Sequence, residues 1–460
     1  MSYSFPSELD FHMLSKMYPS QKTEYRKQPY NQSSFTPSSG AMAQIILQKS
    51  ERTFANPATM VLNFNVQMTY SVGSTQADGT NSCAVILGNA WSAWSRYATM
   101  QSGGQMIDQI DRPAQLVQKI LDATLSPDEK RGMINLGFHE VQPYGNLGYV
   151  VPLSGAINST GNVANVSFSI PLLGALSSTS KMIPMFVNDI ELQFTVNSLN
   201  DFIRFLGSAN TVVTGTATAI INNVELVCET LTLEDASFRE LITNYPQVLN
   251  VKSQSYSYAS GQAIATSGPT TLDYNVPFSL NSLKQFIWWT VPSDAPTPFD
   301  SVNPNLQNWN LVLGSTSYPQ QAVKATSVAE VYYQVMKSFG SVYSGGHSGS
   351  ARRRDFARAS TAGGEYTDYD ATLITNVTPA TALAGTLASA KWQQVLDLEV
   401  LNNLKESLYS GINTRGGSNL LRLNISRATK ANTTLSLHMY ACFDIILNFD
   451  YVNGVITYSS

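Results

Sequence analysis

Residues 60–70 read MVLNFNVQMTY. Met60, Leu62, Phe64, Val66, Met68 and Tyr70 hold the even positions, while Asn63, Asn65, Gln67 and Thr69 hold odd ones. Successive side chains of a β-strand point to opposite faces, so this stretch reads as a strand with one apolar face and one face of neutral amides and hydroxyls. The same period of two recurs in Val166-Phe168-Ile170, Ile190-Leu192-Phe194-Val196 and Val224-Leu226-Cys228. A second set follows in Leu272-Tyr274-Val276-Phe278-Leu280, Leu421-Leu423-Ile425, Leu435-Leu437-Met439 and Phe443-Ile445-Leu447-Phe449-Tyr451. Two groups of half-buried strands predict an all-β chain with two consecutive sandwiches.

Between the groups, LEDASFRELITNYP has helical spacing in Phe238, Leu241 and Ile242 and a proline stop at Pro246, which predicts a linker helix over 233–247. The sandwiches then occupy 41–232 and 248–460, after an extended N-terminal arm over 1–40 that is rich in Pro, Ser, Gln and Tyr. Further helices are expected in the connections at 112–125, 199–207 and 389–408. The stretches 291–325 and 338–370 are too extended for simple hairpins and read as long loops.

Charged residues make up 13% of the 460-residue chain, against about 25% in an ordinary globular protein. Hydrophobic content is 43%, so the missing charge is replaced by uncharged polar residues. A surface of that kind gives up little hydration when pressed against other protein. The net charge of −4 offers no positive field for wrapping a nucleic acid. Cys83, Cys228 and Cys442 are too few and too scattered for a disulfide framework or zinc site, and buried reduced thiols are expected at Cys228 and Cys442, which lie in apolar-alternating strands. The N-terminal MSYSFPSELDF lacks a basic stretch followed by an apolar one, so no signal peptide is expected, and the sequons at Asn158 and Asn376 should stay unmodified. No apolar run approaches the roughly 18 residues of a membrane span.

Chemistry-bearing patterns are sparse. Neither a phosphate-binding glycine loop nor a paired-histidine metal motif occurs, and His12, His139, His347 and His438 lie far apart. His438 is expected to face outward, because Leu435, Leu437 and Met439 supply the buried side of its strand. GGHSGS at 345–350 lacks the final glycine of a nucleophile elbow, and Ser178-x-x-Lys181 is a pattern that chance supplies. Asp108 and Asp111 read as capping or solvated carboxylates. The run Arg352-Arg353-Arg354, followed by Glu365, Asp368 and Asp370, reads as a contact to a neighbouring loop or subunit.

Several strings taken in order resemble a known family. They are YRKQPYNQSSFTPSSGAMAQIILQ (25–48), RTFANPATMVLNFNVQM (52–68), AWSRYATMQSGGQMIDQID (93–111), VSFSIPLLGALSSTSKMIPMFVNDIELQFTVN (166–197), VPFSLNSLKQFIWW (276–289) and LYSGINTRGGSN (408–419). The chain is similar along these segments to the double jelly-roll major capsid proteins of small eukaryotic double-stranded DNA viruses, the polinton-like viruses and virophages. That resemblance implies two eight-stranded antiparallel jelly rolls, a homotrimer with a pseudo-hexagonal outline, and an icosahedral shell in the virion. It also implies neighbouring capsomers, minor capsid or penton proteins and an internal membrane as partners, with no cofactor, no catalysis and no sequence-specific nucleic-acid binding. Tyr25, Arg26 and Lys27 are then the expected anchors of the arm, with Arg352, Arg353 and Arg354 as further assembly contacts. The competing reading is a secreted or surface β-sandwich that binds carbohydrate by stacking sugars on Trp288, Trp289 and Trp309.

Overall fold

The computed structural model describes residues 19–37, 40–71, 83–133, 148–152, 162–206, 216–244, 247–265, 269–293, 297–326, 328–340, 349–351, 356, 391–399, 410–415, 420–427 and 434–459. The opening stretch is β3 (Val61–Ser71), in which Leu62, Phe64, Val66 and Met68 are buried while Asn63, Asn65, Gln67 and Thr69 stay half-exposed. Its apolar face meets that of β6 (Asn162–Pro171) side by side, with Phe64 opposite Phe168 and Val66 opposite Val166.

Six more strands complete the first sandwich: β1 (Pro19–Lys27), β2 (Met42–Leu47), β4 (Trp94–Gln101), β5 (Met106–Asp111), β7 (Ile190–Val196) and β8 (Thr216–Leu233). One sheet runs β1-β8-β3-β6 and the other β2-β7-β4-β5, all antiparallel. The second sandwich comprises β9 (Val248–Ser260), β10 (Thr271–Asn275), β11 (Leu283–Pro292), β12 (Leu306–Leu313), β13 (Thr316–Lys324), β14 (Gln394–Asp397), β15 (Leu421–Arg427) and β16 (Leu435–Asp450). Its sheets run β9-β16-β11-β14 and β10-β15-β12-β13. Adding eight to each strand of the first sandwich gives the second. The repeat is one of wiring, because the two halves share no evident sequence period.

Each sandwich is filled by alternate residues from both sheets, and aromatic rings centre both cores. Phe64 meets Trp94 edge to face at 5.4 Å in the first, and Trp288 meets Trp309 at 5.5 Å and Trp392 at 5.3 Å in the second. Burying side chains of this size stabilises by about 1.5–3 kcal/mol each. Cys228 and Cys442 are buried free thiols, pushed by burial up to about 11 and about 12.

Four expectations change. The arm expected over 1–40 does not extend that far, because 19–27 form β1, paired with β8 from Lys27–Leu226 to Pro19–Leu233. β1 is an edge strand whose ladder is reinforced by polar cross-strand pairs, Lys22–Glu229 at 2.9 Å and Thr23–Thr230 at 2.9 Å, so its own sequence lacks an apolar period. The helix expected over 199–207 is only Leu199–Phe202. Ile203–Leu206 instead pairs with Cys83–Leu87, which also pairs with Gly148–Pro152. Within the helix expected over 389–408, Gln394–Asp397 is β14, whose residues complete the free edge of β11; residues 400–408 lie outside the described residues. The loop expected over 291–325 contains the β12–β13 hairpin, turned at Gly314 with φ 60°. Helices α1 (Pro113–Thr124), α2 (Pro127–Gly132), α3 (Asp235–Asn244) and α4 (Val328–Ser338) lie in the connections.

The Ser410-Gly411-Ile412-x-Thr414 string is a clamp on the second sandwich. Ser282 Oγ (2.6 Å), Ser410 N (2.8 Å) and Ser410 Oγ (3.0 Å) all donate to the fully buried Asp444 Oδ2. A Cβ on Gly411 would stand 2.2 Å from the Leu283 carbonyl oxygen. Thr414 Oγ1 accepts from Leu280 N at 2.8 Å and donates to Phe278 O at 3.0 Å. Replacing Asp444 with Ala strands three donors and removes the counter-charge near Lys252 and Lys284. Asp444→Ala is expected to cost about 3–5 kcal/mol in urea unfolding; an unchanged midpoint would show that the clamp carries no stability.

Candidate functional site

Helix α1 is the centre of the junction between the sandwiches. Pro113 occupies its first turn after Arg112, which turns the chain with φ 51°. Pro113 to Lys119, Asp122 and Ala123 are all buried, so the helix is covered around most of its circumference. On one side it packs against β4, on the other it touches helix α4, and its polar side chains reach the second sandwich. Gln115 Nε2 donates to Pro298 O at 3.2 Å, Lys119 Nζ to Ser301 Oγ at 2.5 Å, and Gln393 Nε2 to Lys119 O at 2.9 Å.

The surface under α1 is the outer face of β11 and β16. Trp289 and His438 are opposite each other across that ladder and stack at 5.9 Å, and Trp289 also stacks on Tyr440 at 5.3 Å. The Lys119 ammonium sits 5.6 Å from the Trp289 ring centre, and the Arg112 guanidinium 5.3 Å from that of Tyr258. Tyr440 Oη donates to the carbonyls of Asp111 (3.2 Å) and Arg112 (3.0 Å). His438 therefore does point away from its own core, as its strand period predicts, but the first sandwich covers it to 6% exposure.

Two buried carboxylates pin the same junction. Asp108 accepts from Ser255 Oγ at 2.5 Å and Ala175 N at 2.8 Å. Burial nevertheless leaves its carboxyl above the ordinary range. Asp122 is equally buried, which pushes its carboxyl upward, but Lys130, Lys391 and Lys119 together hold it below the usual value. Lys130 Nζ bonds both Asp122 Oδ1 and Ser350 Oγ, and the end of α1 is closed by Ala351 N on Asp122 O (2.7 Å) and Ser350 N on Leu125 O (2.7 Å). Beside the start of α1 a cleft of about 590 Å³ opens, lined by Arg96, Asp111, Arg112, Asp201, Tyr258 and Phe299. Its charged groups are engaged with neighbours: Arg96 Nε donates to Asp111 Oδ1 at 2.5 Å, and Ser198 Oγ to Asp201 Oδ2 at 2.8 Å. Among the described residues no His, Cys, Asp and Glu side chains are grouped to hold a metal ion.

The corresponding outer face of the first sandwich, on β3, β6 and β8, has no such cover among the described residues. There Asn65 is opposite Ser167 and Asn222, and Gln67 is opposite Asn165 and Ile220. Ile220 is 39% exposed.

No protein-family model and no curated protein sequence matches the chain. Solved structures do match over nearly its whole length. The Sputnik virophage structure aligns with a TM-score of 0.59 at 12% identity, covering 100% of this chain and 93% of that one. The PBCV-1 virus capsid aligns at 0.56 and 12%, covering 98% and 99%, and the mavirus major capsid protein at 0.55 and 10%, covering 100% and 95%. The chain has the double jelly-roll fold of viral major capsid proteins. At these identities the likeness is one of fold.

Within the double jelly roll, the residues singled out from sequence fall in different places. Trp288, Trp289 and Trp309 are each 0% exposed, so none presents a ring to a sugar. They are core and junction residues, and the apolar alternation that marks a strand interior was the signal for it. Tyr25, Arg26 and Lys27 lie in β1 rather than on a free arm. Tyr25 Oη accepts from Gln48 N at 3.3 Å, Arg26 pairs with Glu225 at 3.2 Å, and Lys27 Nζ donates to Gln48 Oε1 at 2.9 Å. Arg352, Arg353 and Arg354 lie outside the described residues, directly after the anchored Ala351. The junction set of Arg112, Lys119, His438 and Tyr440 is not visible in the sequence, because α1 and its cap lie more than 300 residues from the strand that carries His438 and Tyr440.

His438 gives the junction a pH dependence. Burial, with Arg112 and Lys119 nearby, lowers its pKa from 6.5 to about 3. The unfolded chain therefore binds a proton that the folded chain refuses, and stability is lost as pH falls from 6.5 toward 3. The loss is about 1.4 kcal/mol per pH unit, or about 2 kcal/mol at pH 5. Asp108 acts in the opposite sense, since its raised carboxyl takes up a proton in the folded state first as pH drops toward the carboxylate range. Comparing wild type with His438→Phe isolates the imidazole: urea unfolding from pH 7 to 5 should show a shallower loss in the variant. Parallel profiles would show that His438 is not buried as a neutral ring.

Proposed function

We propose that this chain is a structural major capsid protein of an icosahedral double-stranded DNA virus of the virophage and polinton-like kind. The observation that carries the proposal is the duplicated strand order, β1-β8-β3-β6 with β2-β7-β4-β5 repeated as β9-β16-β11-β14 with β10-β15-β12-β13. Together with the full-length likeness to viral capsid structures, it supports a building block with two upright sandwiches. Three copies then present six sandwiches in a pseudo-hexagonal outline that tiles a facet, with neighbouring capsomers and minor or penton proteins at its margins. The role is non-catalytic and the site of action is the virion.

Neutral polar outer faces suit lateral packing, since amides and hydroxyls can exchange water for protein partners without stranding a charge. The exposed edge of β1, including Arg26 and Lys27, and the run Arg352–Arg354 are proposed as contacts to neighbouring capsomers. The arm shortens to residues 1–18 and is proposed to reach a minor protein or a lipid layer beneath the shell.

Native mass spectrometry and negative-stain microscopy of the purified chain test this reading. Trimers of the 50.2 kDa chain with a hexagonal outline are expected; a monomer at capsid-like concentrations would refute it. Deleting residues 1–18 should leave trimers intact while impairing shell closure, whereas a deletion reaching Lys27 removes β1 and should destabilise the first sandwich. Loss of the trimer on the shorter deletion would remove the assigned role of the arm.

A further inference from the structure

The junction inside one chain shows how one sandwich grips the next. The gripping element is the helix that follows the fifth strand of its sandwich, α1 after β5, and the gripped surface is the outer face of the third and eighth strands, β11 and β16. On that face the opposed pair Trp289 and His438 is covered, at 0% and 6% exposure.

Both halves of this contact occur a second time, unpaired. Helix α4 follows β13, the fifth strand of the second sandwich, as α1 follows β5. Its inner side packs on β14, with Val331 and Val335 buried, while Ala329, Glu330, Tyr333 and Lys337 are exposed, Tyr333 to 47%. In the first sandwich the matching opposed pair on the third and eighth strands is Gln67 and Ile220, which face away from the core pair Val66 and Ile221. Nothing described covers it. The gripping helix of the second sandwich and the gripped face of the first thus lie on one chain, yet neither contacts the other there.

We propose that α4 of one copy docks on the β3–β8 face of the next copy, repeating between chains the grip that α1 makes on β11 and β16 within a chain. The contact is heterologous, so each copy offers one donor and one acceptor surface, and a threefold rotation between copies closes the set as a ring. The chemistry fits a second copy of this chain. Around Ile220 the acceptor face is uncharged, with Asn65, Gln67, Thr69 and Asn222, and the carboxylate further along it, Glu225 opposite Asn63, is paired with Arg26; the helix brings Tyr333 to the uncharged part, an apolar ring with one hydroxyl. The sequence oddity that opens the chain's reading, an amide-lined strand face, is then an acceptor for protein. This inference rests on the trimeric capsid reading and assigns its contact surfaces.

The test uses two full-length variants, Ile220→Arg and Tyr333→Arg, with Asp273→Arg on the exposed side of β10 as control. Native mass spectrometry should show trimers for wild type and the control, and monomers for each of the two variants at unchanged melting temperature. Mixing the two variants should give a heterodimer of twice the 50.2 kDa chain mass and no larger ring. Its one sound contact joins the helix of Ile220→Arg to the face of Tyr333→Arg. Trimers that persist in both variants, or variants that dissociate but never pair with each other, would overturn the surface assignment and leave the capsid reading standing. A wild type that never trimerises would overturn the reading itself. Should arginine at 220 lower the melting temperature, Gln67→Lys on the same face provides the second acceptor variant, with the same outcomes expected.

Discussion

Each sandwich is held closed by its last strand. β8 and β16 run 18 and 16 residues and lie between the first and third strands of their sheets. Apart from the hairpin that β16 makes with Val455–Ser459, their ladders join residues far apart in the chain, and the apolar face that each strand buries in its sandwich offsets the cost of closing those loops. In β16 the demand is highest: Leu437, Met439, Ile445 and Leu447 fill the sandwich, while His438 and Tyr440 on the opposite face meet the first sandwich. One strand thus stabilises its own core and the joint between the two halves.

That joint is largely polar in its specifics and apolar in its bulk. Rings stacked on β11 and β16 exclude water, and buried groups find partners across the interface: Asp108 accepts from Ser255, Asp122 from Ser350, and Tyr440 donates to the carbonyls before α1. A buried ion pair is weak evidence for stability by itself, but an unpaired partner in such a place is costly, so these contacts fix the register of one sandwich on the other. The two halves are thus joined by a packed interface and not by the linker helix alone.

Much of this was legible in the sequence. The alternation in 60–70, 190–196, 421–425 and 435–449 marks strands whose two faces have different surroundings, and each is a strand in the structure. The helices at 113–124 and 235–244 also followed from spacing and proline placement. The failures have a common cause. β1 and β13 are edge strands made of polar residues, and β14 is a four-residue strand whose Leu396 stands at helical spacing from the preceding Trp392. Such segments take their form from the strand beside them, which a single sequence does not display. His438 was placed on the correct face, but what covers that face belongs to the other half of the chain.

The late position of β16 has a consequence for quality control. A polypeptide broken off before Leu435 lacks the partner that both β9 and β11 require, and it also lacks the surface on which α1 rests. Such fragments expose apolar rows and free ladder edges of the kind that chaperones and proteases recognise. Completion of synthesis through β16 is thereby a condition for closing both the second sandwich and the junction.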